Sequence, residues 1–416
     1  MPILRIGLLL GIRQIQRASI WTNILIVFVM ALTFLNLIAV SGILVGLIVG
    51  AERAVREDSL GDIIITAKDG DDHIAETERI VREIAAYPEV KDYSVRYTGA
   101  GEMEANYKLR RDLTGERDKA DVKVTGIDPL QEEAMTGLSE ALLSGEYLNP
   151  DEEGYILVGA YYIEEYAEQL QGLFDTVEGV KPGDTVRLTV GTISKEFIIK
   201  GILQTKVDEV TFNTYIPERE FRRLFNRVDR NADQIVMRLD NPKSNGTVKE
   251  AMVQSGLGEI AKIQTYEEGV PKFLKDIKNT FNVLGTFIGS IGIIVASITI
   301  FIIIFINALA RRRFIGILKG IGIDRKAIEI AYVIQAGIYA FVGSMIGVLI
   351  TYLVLIPYFD RYPIDFPFSD GILVAEPVGT LLRFIVLFGI TLLAGYIPAW
   401  MIARGNTLNA ILGRNK

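Results

Sequence analysis

Four long stretches of this sequence carry no charged residue: Ala18–Ala51, Asn279–Ala310, Ile330–Phe359 and Phe384–Ala403. A helix that crosses the hydrocarbon core of a bilayer needs roughly 20 mostly apolar residues, so each stretch qualifies. Buried helices of soluble proteins rarely run so far without a charge. Half of the 416 residues are hydrophobic. The expectation is an α-helical membrane protein with four transmembrane helices and a large extracytoplasmic α+β domain inserted between helices 1 and 2. The first apolar run is much longer than the core of a signal peptide and starts well into the chain, so it is expected to be an uncleaved anchor.

Charge orients the spans, because Lys and Arg accumulate on the cytoplasmic side. Arg5, Arg13 and Arg17 precede the first span with no acid among them. Arg311, Arg312, Arg313, Lys319, Arg325 and Lys326 fall between spans two and three, against Asp324 alone. Arg404, Arg414 and Lys416 follow span four, again without an acid. The rest of the chain is strongly acidic, with 32 basic and 50 acidic residues. The expected organisation follows from this asymmetry. An amphipathic segment 1–18, a loop 311–327 and a tail 404–416 lie in the cytoplasm. Spans cover 19–50, 276–310 (with a stalk at its start), 328–357 and 378–403. The domain 51–275 and the loop 358–377 lie outside the cell membrane.

The spans have two further traits. Gly42, Gly46 and Gly50 in span one, Gly285 and Gly289 in span two, and Gly343 and Gly347 in span three recur at four-residue spacing. Small residues at that spacing let helix backbones approach closely. The span centres also lack ionisable side chains, and their polar groups are amides such as Asn36 and Gln335. Proton relays and ion pathways carry Asp, Glu, His or Arg at midplane, so an ion-coupled transporter or channel is disfavoured.

The outer segment alternates strand and helix signals. GDIIITAK, DYSVRYTG, DVKVTGID and GYILVG read as strands, and KPGDTVRLTVGTISKEFIIKGILQ as a hairpin with Gly191-Thr192 near its tip. TERIVREIAAY, DPLQEEAMTGLSEALLSG and PEREFRRLF read as helices. Two α+β subdomains are expected. No catalytic, cofactor or metal constellation is present. The chain has no cysteine and one histidine, His73, in a charged stretch that reads as solvated. The acidic pairs Glu132-Glu133, Asp151-Glu152-Glu153 and Glu164-Glu165 likewise read as solvated faces. The sequence contains no GxxxxGK[ST], so it offers no P-loop for ATP phosphates. Nothing points to nucleic acid.

The loop RRRFIGILKGIGIDRK is the most distinctive stretch. On a helix, Phe314, Ile317, Leu318 and Ile321 fall at i, i+3, i+4 and i+7, one apolar stripe. Gly316, Gly320 and Gly322 allow close approach and a sharp exit. Asp324 is placed to cap the next helix. Physics alone leaves two readings, an interfacial helix on lipid headgroups or a knob for a cytoplasmic partner.

This loop and the span after it resemble the FtsX-like permease domain of the MacB/LolC/FtsX-like (type VII) ABC transporters. The family's loop runs Arg-Glu-Ile-Gly-Ile-Leu-Arg/Lys-Ala-Leu-Gly. Ile315, Gly316, Ile317, Leu318, Lys319 and Gly322 match it, while Phe314 replaces the usual Glu. The tail LAGYIPAWMIARGNTLNAI is similar to the family's closing pattern at Pro398, Ala399, Ala403, Asn409, Ala410 and Ile411. The VKVTGIDP…ILVG…VKPGDTVRL series resembles the MacB-like periplasmic core domain. The resemblance implies a non-catalytic permease that pairs with a second permease chain. Its loop, Arg312 to Gly322 with Arg313, Gly320 and Ile321 included, would be the coupling helix that docks on a separate cytoplasmic ATPase. ATP and magnesium would bind that ATPase. The function implied is export or extraction of a lipoprotein, peptide or other amphipathic substrate. The alternative is an FtsX-like regulator that passes ATPase-driven motion to an envelope protein. The short LTVGTISKEFII hairpin leaves little room for the hook of a lipoprotein-release subunit that hands cargo to a chaperone.

Overall fold

A computed structural model describes residues 2–108, 117–168, 172–270, 272–366, 369–371 and 373–404. The chain divides into two compact units. One holds the long apolar helices and the other holds residues 51–274.

The second unit is built, in chain order, from β1 (Ile63–Thr66), α1 (Thr77–Ile84), β2 (Val90–Glu104), β3 (Lys119–Ile127), α2 (Pro129–Thr136), β4 (Leu142–Gly145), β5 (Tyr155–Gly159), β6 (Thr185–Val190), β7 (Ile193–Leu203), β8 (Thr214–Pro217), α3 (Glu218–Leu224), β9 (Gln234–Leu239), α4 (Asn245–Gln254) and β10 (Lys262–Thr265). Strands β10-β1-β9-β2 form an antiparallel sheet. With α1 between β1 and β2, and α4 between β9 and β10, this is the order of a split β-α-β-β-α-β unit. Side chains alternate across a strand. Ile63 and Ile65 of β1 therefore pack on Ile80 and Ile84 of α1 and on Val248 and Met252 of α4. Ile64 faces the other way and packs with Leu60, Tyr266 and Val270.

Strand β2 changes partner halfway. Val90–Arg96 pair with β9, and Tyr97–Glu104 pair with β3. From there the ladder runs β2-β3-β8-β5-β7 and returns through β6, which pairs with both β7 and β2. The six strands close into a small barrel, which removes their free edges. Its interior holds Met103, Val122, Val124, Ile156, Val158, Val186, Leu188, Phe197 and Ile199. The second unit thus combines a split β-α-β sheet and a barrel that share one strand. The β6–β7 hairpin turns on Gly191 and Thr192, with Gly191 at φ +58.

Three expectations are corrected here. The helix read over residues 128–145 stops at Thr136, because Gly137 takes a left-handed φ of +65 and the chain then turns into β4. Glu132 is not on a solvated face. It is buried and receives Arg96 Nη2 at 2.6 Å, Arg96 Nε at 3.0 Å and Ser94 Oγ at 2.7 Å. His73 is half-buried rather than solvated, with Nδ1 2.6 Å from Asp233 Oδ1.

In the other unit, an N-terminal helix (Pro2–Gln16) precedes, among the described residues, four helices long and apolar enough to cross a membrane: Ile20–Leu60, Lys275–Ala310, Arg325–Arg361 and Pro377–Ala403. Span one ends in a π-helical turn, Arg56–Leu60, and span three contains one, Thr351–Leu355, before its last turn Ile356–Arg361. The expected border at residue 50 falls inside a helix that runs unbroken from Ile20 to Val55. The border at 275 falls inside a helix that starts at Lys272. The second of these helices has 39 residues and is about 58 Å long at 1.5 Å per residue.

Candidate functional site

The loop between spans two and three folds as a helix, Arg312–Gly320. It follows span two across Arg311, whose N–H donates to Asn307 O at 3.2 Å. Its end is a complete glycine cap. Gly322 has φ +93, its N–H donates to Lys319 O at 3.1 Å, and Ile323 N–H donates to Leu318 O at 3.0 Å. This pair of bonds satisfies the last carbonyls of a helix. Ile323 also packs against the cluster that contains Leu318. Asp324 then caps span three by accepting from Lys326 N at 2.7 Å.

The large apolar residues form one broad face of the helix, with Arg312, Arg313 and Lys319 outside it, and the structure divides that face. Ile315 and Leu318 are 3% and 7% exposed and pack in the core of the apolar helices with Ile328 and Tyr332. Gly316 is buried beside them. Phe314, Ile317 and Ile321 are 48%, 46% and 72% exposed. The single stripe expected from the sequence is therefore corrected: Leu318 leaves it and joins Ile315 as an anchor. Gly320 has open space where a Cβ would sit. Arg313 is exposed at the start of the helix, and Arg312 is half-buried. Lys319 Nζ donates to Ala403 O at 3.1 Å and so ties this helix to the last carbonyls of span four. Cations at that end of a helix are favoured by its dipole.

The glycines fall into three groups. A Cβ on Gly343 would come within 3.0 Å of Met30 Cβ and lie 3.1 Å from Ala31 N and Val27 O. One on Gly347 would lie 2.8 Å from Phe34 Cδ1 and 3.3 Å from Ala31 O. Spans one and three therefore touch backbone to backbone. Gly42 packs on Leu373 and Val374 instead of on another span, and its carbonyl accepts from Val374 N at 3.2 Å. Gly46 is buried and Gly50 half-buried in the same helix. Gly285 and Gly289 meet span one only at 3.5–3.8 Å, through Ser41, Leu44 and Leu37. That is ordinary contact, not close approach.

Sequence reasoning missed other close contacts. Gly7 and Gly11 press the N-terminal helix onto span three at Ile330 and Ala331. Gly395 meets Ala336 Cβ at 2.6 Å. Gly7 and Gly11 have the same four-residue spacing as the span glycines, so that signal was available. Asn23 joins the first two helices by donating to Ile15 O at 2.9 Å, and it accepts from Tyr339 OH at 2.6 Å. Gln335 Nε2 donates to the same hydroxyl at 3.1 Å. Asn409, Ala410 and Ile411 lie outside the described residues. No group of three or more His, Asp or Glu side chains could hold a metal ion among the described residues.

The family comparisons match both units. A model of the MacB-like periplasmic core domain matches residues 25–255, and one of the FtsX-like permease C-terminal region matches residues 286–407. The macrolide export ATP-binding/permease protein MacB from two strains of Campylobacter jejuni is 25% identical over 232 residues. That alignment covers 52% of this chain and 34% of the relative, so the chain spans about a third of the length of the curated relatives it matches. Two solved structures are similar. The extracellular domain of the noncanonic ABC-type transporter YknZ from Gram-positive bacteria has 12% identity and a TM-score of 0.33, and the match covers 49% of this chain and 100% of that one. The periplasmic region of MacB from Actinobacillus actinomycetemcomitans has 13% identity and a TM-score of 0.33, and the match covers 51% and 92%. The core-domain match alone takes in more than half of the residues, and the chain belongs to the family of FtsX-like permeases with a MacB-like periplasmic core domain.

Proposed function

We propose that this chain is the permease subunit of an ABC transporter of the MacB/LolCDE type. A separate cytoplasmic ATPase, which binds ATP and magnesium, moves its outer domain to export or extract a lipoprotein, peptide or other amphipathic substrate. The chain pairs with a second permease chain, and both termini and the loop helix are cytoplasmic. The observation that carries this reading is the two-sided loop helix. Ile315 and Leu318 fix it to the spans, while Phe314, Ile317 and Ile321 stay uncovered beside an exposed Arg313. Burying a large apolar side chain on a partner stabilises by about 1.5–3 kcal/mol. The basic residues around the helix support the cytoplasmic orientation. The two-residue turn of the β6–β7 hairpin supports an exporter or extractor over the subunit that hands lipoproteins to a chaperone.

The test is affinity purification of the full chain from native membranes in mild detergent, with bound proteins identified by mass spectrometry. A P-loop ATPase is expected with the unsubstituted chain. It is expected to be lost from Phe314→Asp/Ile317→Asp, which should still insert in the membrane. An ATPase that stays bound to that double variant would overturn the docking role of this face. Recovery of an envelope protein and no ATPase would move the chain to the regulator class.

A further inference from the structure

We propose that the outer domain carries an anion site, a cleft of arginines on α3 and the turn after it that takes a phosphate-bearing group. The source of that group is a phospholipid headgroup or a soluble phosphate ester. Helix α3 buries Phe221 and Leu224 in the barrel core. The face turned away carries Arg219, Arg222 and Arg223, and Asn226 and Arg227 continue it past the helix end. These residues follow the three- and four-residue spacing that puts side chains on one side of a helix. Together with Val228 they line a cleft of about 350 Å³ with no carboxylate in its wall. Such a wall stands out in a chain whose non-cytoplasmic residues are dominated by acids.

The four arginines divide into a frame and a grip. Arg227, with its side chain 12% exposed, lies 3.4 Å from Asp233 Oδ2 and 3.6 Å from Asp229 Oδ1, and donates to Asn231 O. Arg222 donates to Val228 O at 3.3 Å and lies 3.5 Å from Glu218 Oε1. These bonds hold the turn in which Asn226 takes φ +50. The other two arginines are available. Arg219 is exposed and makes no ion pair among the described residues. Arg223 meets Glu153 at 3.0 Å, but those side chains are 66% and 53% exposed. Exposed pairs of this kind are weak and readily exchanged.

Like charges three and four residues apart destabilise a helix, and an anion in the cleft would offset that repulsion. Phosphate fits better than carboxylate. One guanidinium fork satisfies the two oxygens of a carboxylate, whereas several converging forks suit a group with more oxygens and more charge. Arginine clusters are a recurrent means of phosphate recognition. Arg219 also borders a neighbouring acidic cleft lined by Asp128, Asp151, Glu152, Glu153, Glu218 and Glu220, which repels an anion from that side. The site is independent of any coupling to an ATPase.

The test uses the full chain in phosphatidylcholine nanodiscs, titrated calorimetrically with tripolyphosphate. One saturable site is expected, weakened at least tenfold in Arg219→Gln/Arg223→Gln and about threefold in Arg223→Gln alone. A Lys91→Gln/Lys243→Gln control removes the same charge elsewhere on the domain and should leave binding unchanged. A second arm mixes the nanodiscs with phosphatidylglycerol vesicles and floats them. Co-flotation that needs Arg219 and Arg223 identifies a lipid headgroup as the source. Tripolyphosphate binding without co-flotation identifies a soluble phosphate ester. The absence of saturable binding, or equal weakening in the lysine control, overturns the site.

Discussion

The two units of this molecule solve opposite packing problems. In the outer domain the large apolar side chains turn inward, and a charge that is buried has its partner beside it, as Arg96 has Glu132. In the membrane unit Trp21, Phe28, Phe287 and Leu353 face outward. Its interior contacts are made at Ala31, Ala336, Gly343 and Gly395 as much as by large groups. The difference follows from the solvent. Water drives apolar surface inward. Lipid is as apolar as leucine, so helices there associate through close backbone approach and shape. The outer domain should therefore fail when a polar partner is removed, and the membrane unit when a methyl group is added.

The largest effect is expected at Glu132. Replacing it with Ala leaves the Arg96 guanidinium buried without its carboxylate, a change that costs about 3–5 kcal/mol. Hydrogen exchange of β2 and α2 in the full chain should show that loss as a drop in protection. The Arg96 guanidinium also holds the Glu132 carboxyl below its ordinary value. A carboxylate with a depressed folded-state pKa contributes stability above its unfolded value, about 4.3, and loses it as the pH falls through the lower folded value. Acid should thus erode protection of β2 in the native chain. A Glu132→Gln/Arg96→Met variant should lack that part of the acid response.

The matching experiment in the membrane unit is Gly343→Leu. Its Cβ would crowd Met30 and lies 3.1 Å from the backbone of Ala31 and Val27, and backbone cannot swing aside as a flexible side chain can. Overpacking of this kind costs about 1–3 kcal/mol, occasionally more. A lower thermal midpoint of the detergent-solubilised chain is expected. An unchanged midpoint would mean that spans one and three are not held by this contact.

The loop helix contains the same contrast within nine residues. Leu318→Asp puts a charge in the core of the spans and should lower the thermal midpoint. Ile317→Asp leaves the midpoint unchanged and is expected to reduce only partner binding. Equal loss of stability in both would remove the distinction between its two faces. The sequence could not separate them, because Phe314, Ile315, Ile317, Leu318 and Ile321 form one continuous apolar face and only packing decides which part of it turns inward. The outer domain shows the same limit. Individual strands such as β1 and β5 were legible from β-branched runs between turn formers. The closure of the barrel was not, because β6 pairs with β2 more than 80 residues earlier in the chain. Glu132 sits in a polar segment, DPLQEEAMTG, and nothing local says that it faces Arg96 on β2. Cap residues were readable because their chemistry is local. Asp324 caps span three and Gly322 ends the loop helix, as the sequence implied.

The smallest effect is expected at Gly285, and it carries the most information about assembly. A Cβ there would meet Ser41 and Leu44 at 3.7–3.8 Å, with room to spare. Within one chain Gly285→Ala should therefore change the thermal midpoint by less than the equivalent of about 0.5 kcal/mol. Gly285 and Gly289 nevertheless keep the four-residue spacing of a close-packing face. If Gly285→Ala leaves the midpoint intact but shifts the detergent-solubilised protein to a smaller assembly, these glycines face a second permease chain and not span one. If both midpoint and assembly size are unchanged, glycine at that spacing in span two serves no close contact, and close packing in this unit belongs to Gly343, Gly347 and Gly395.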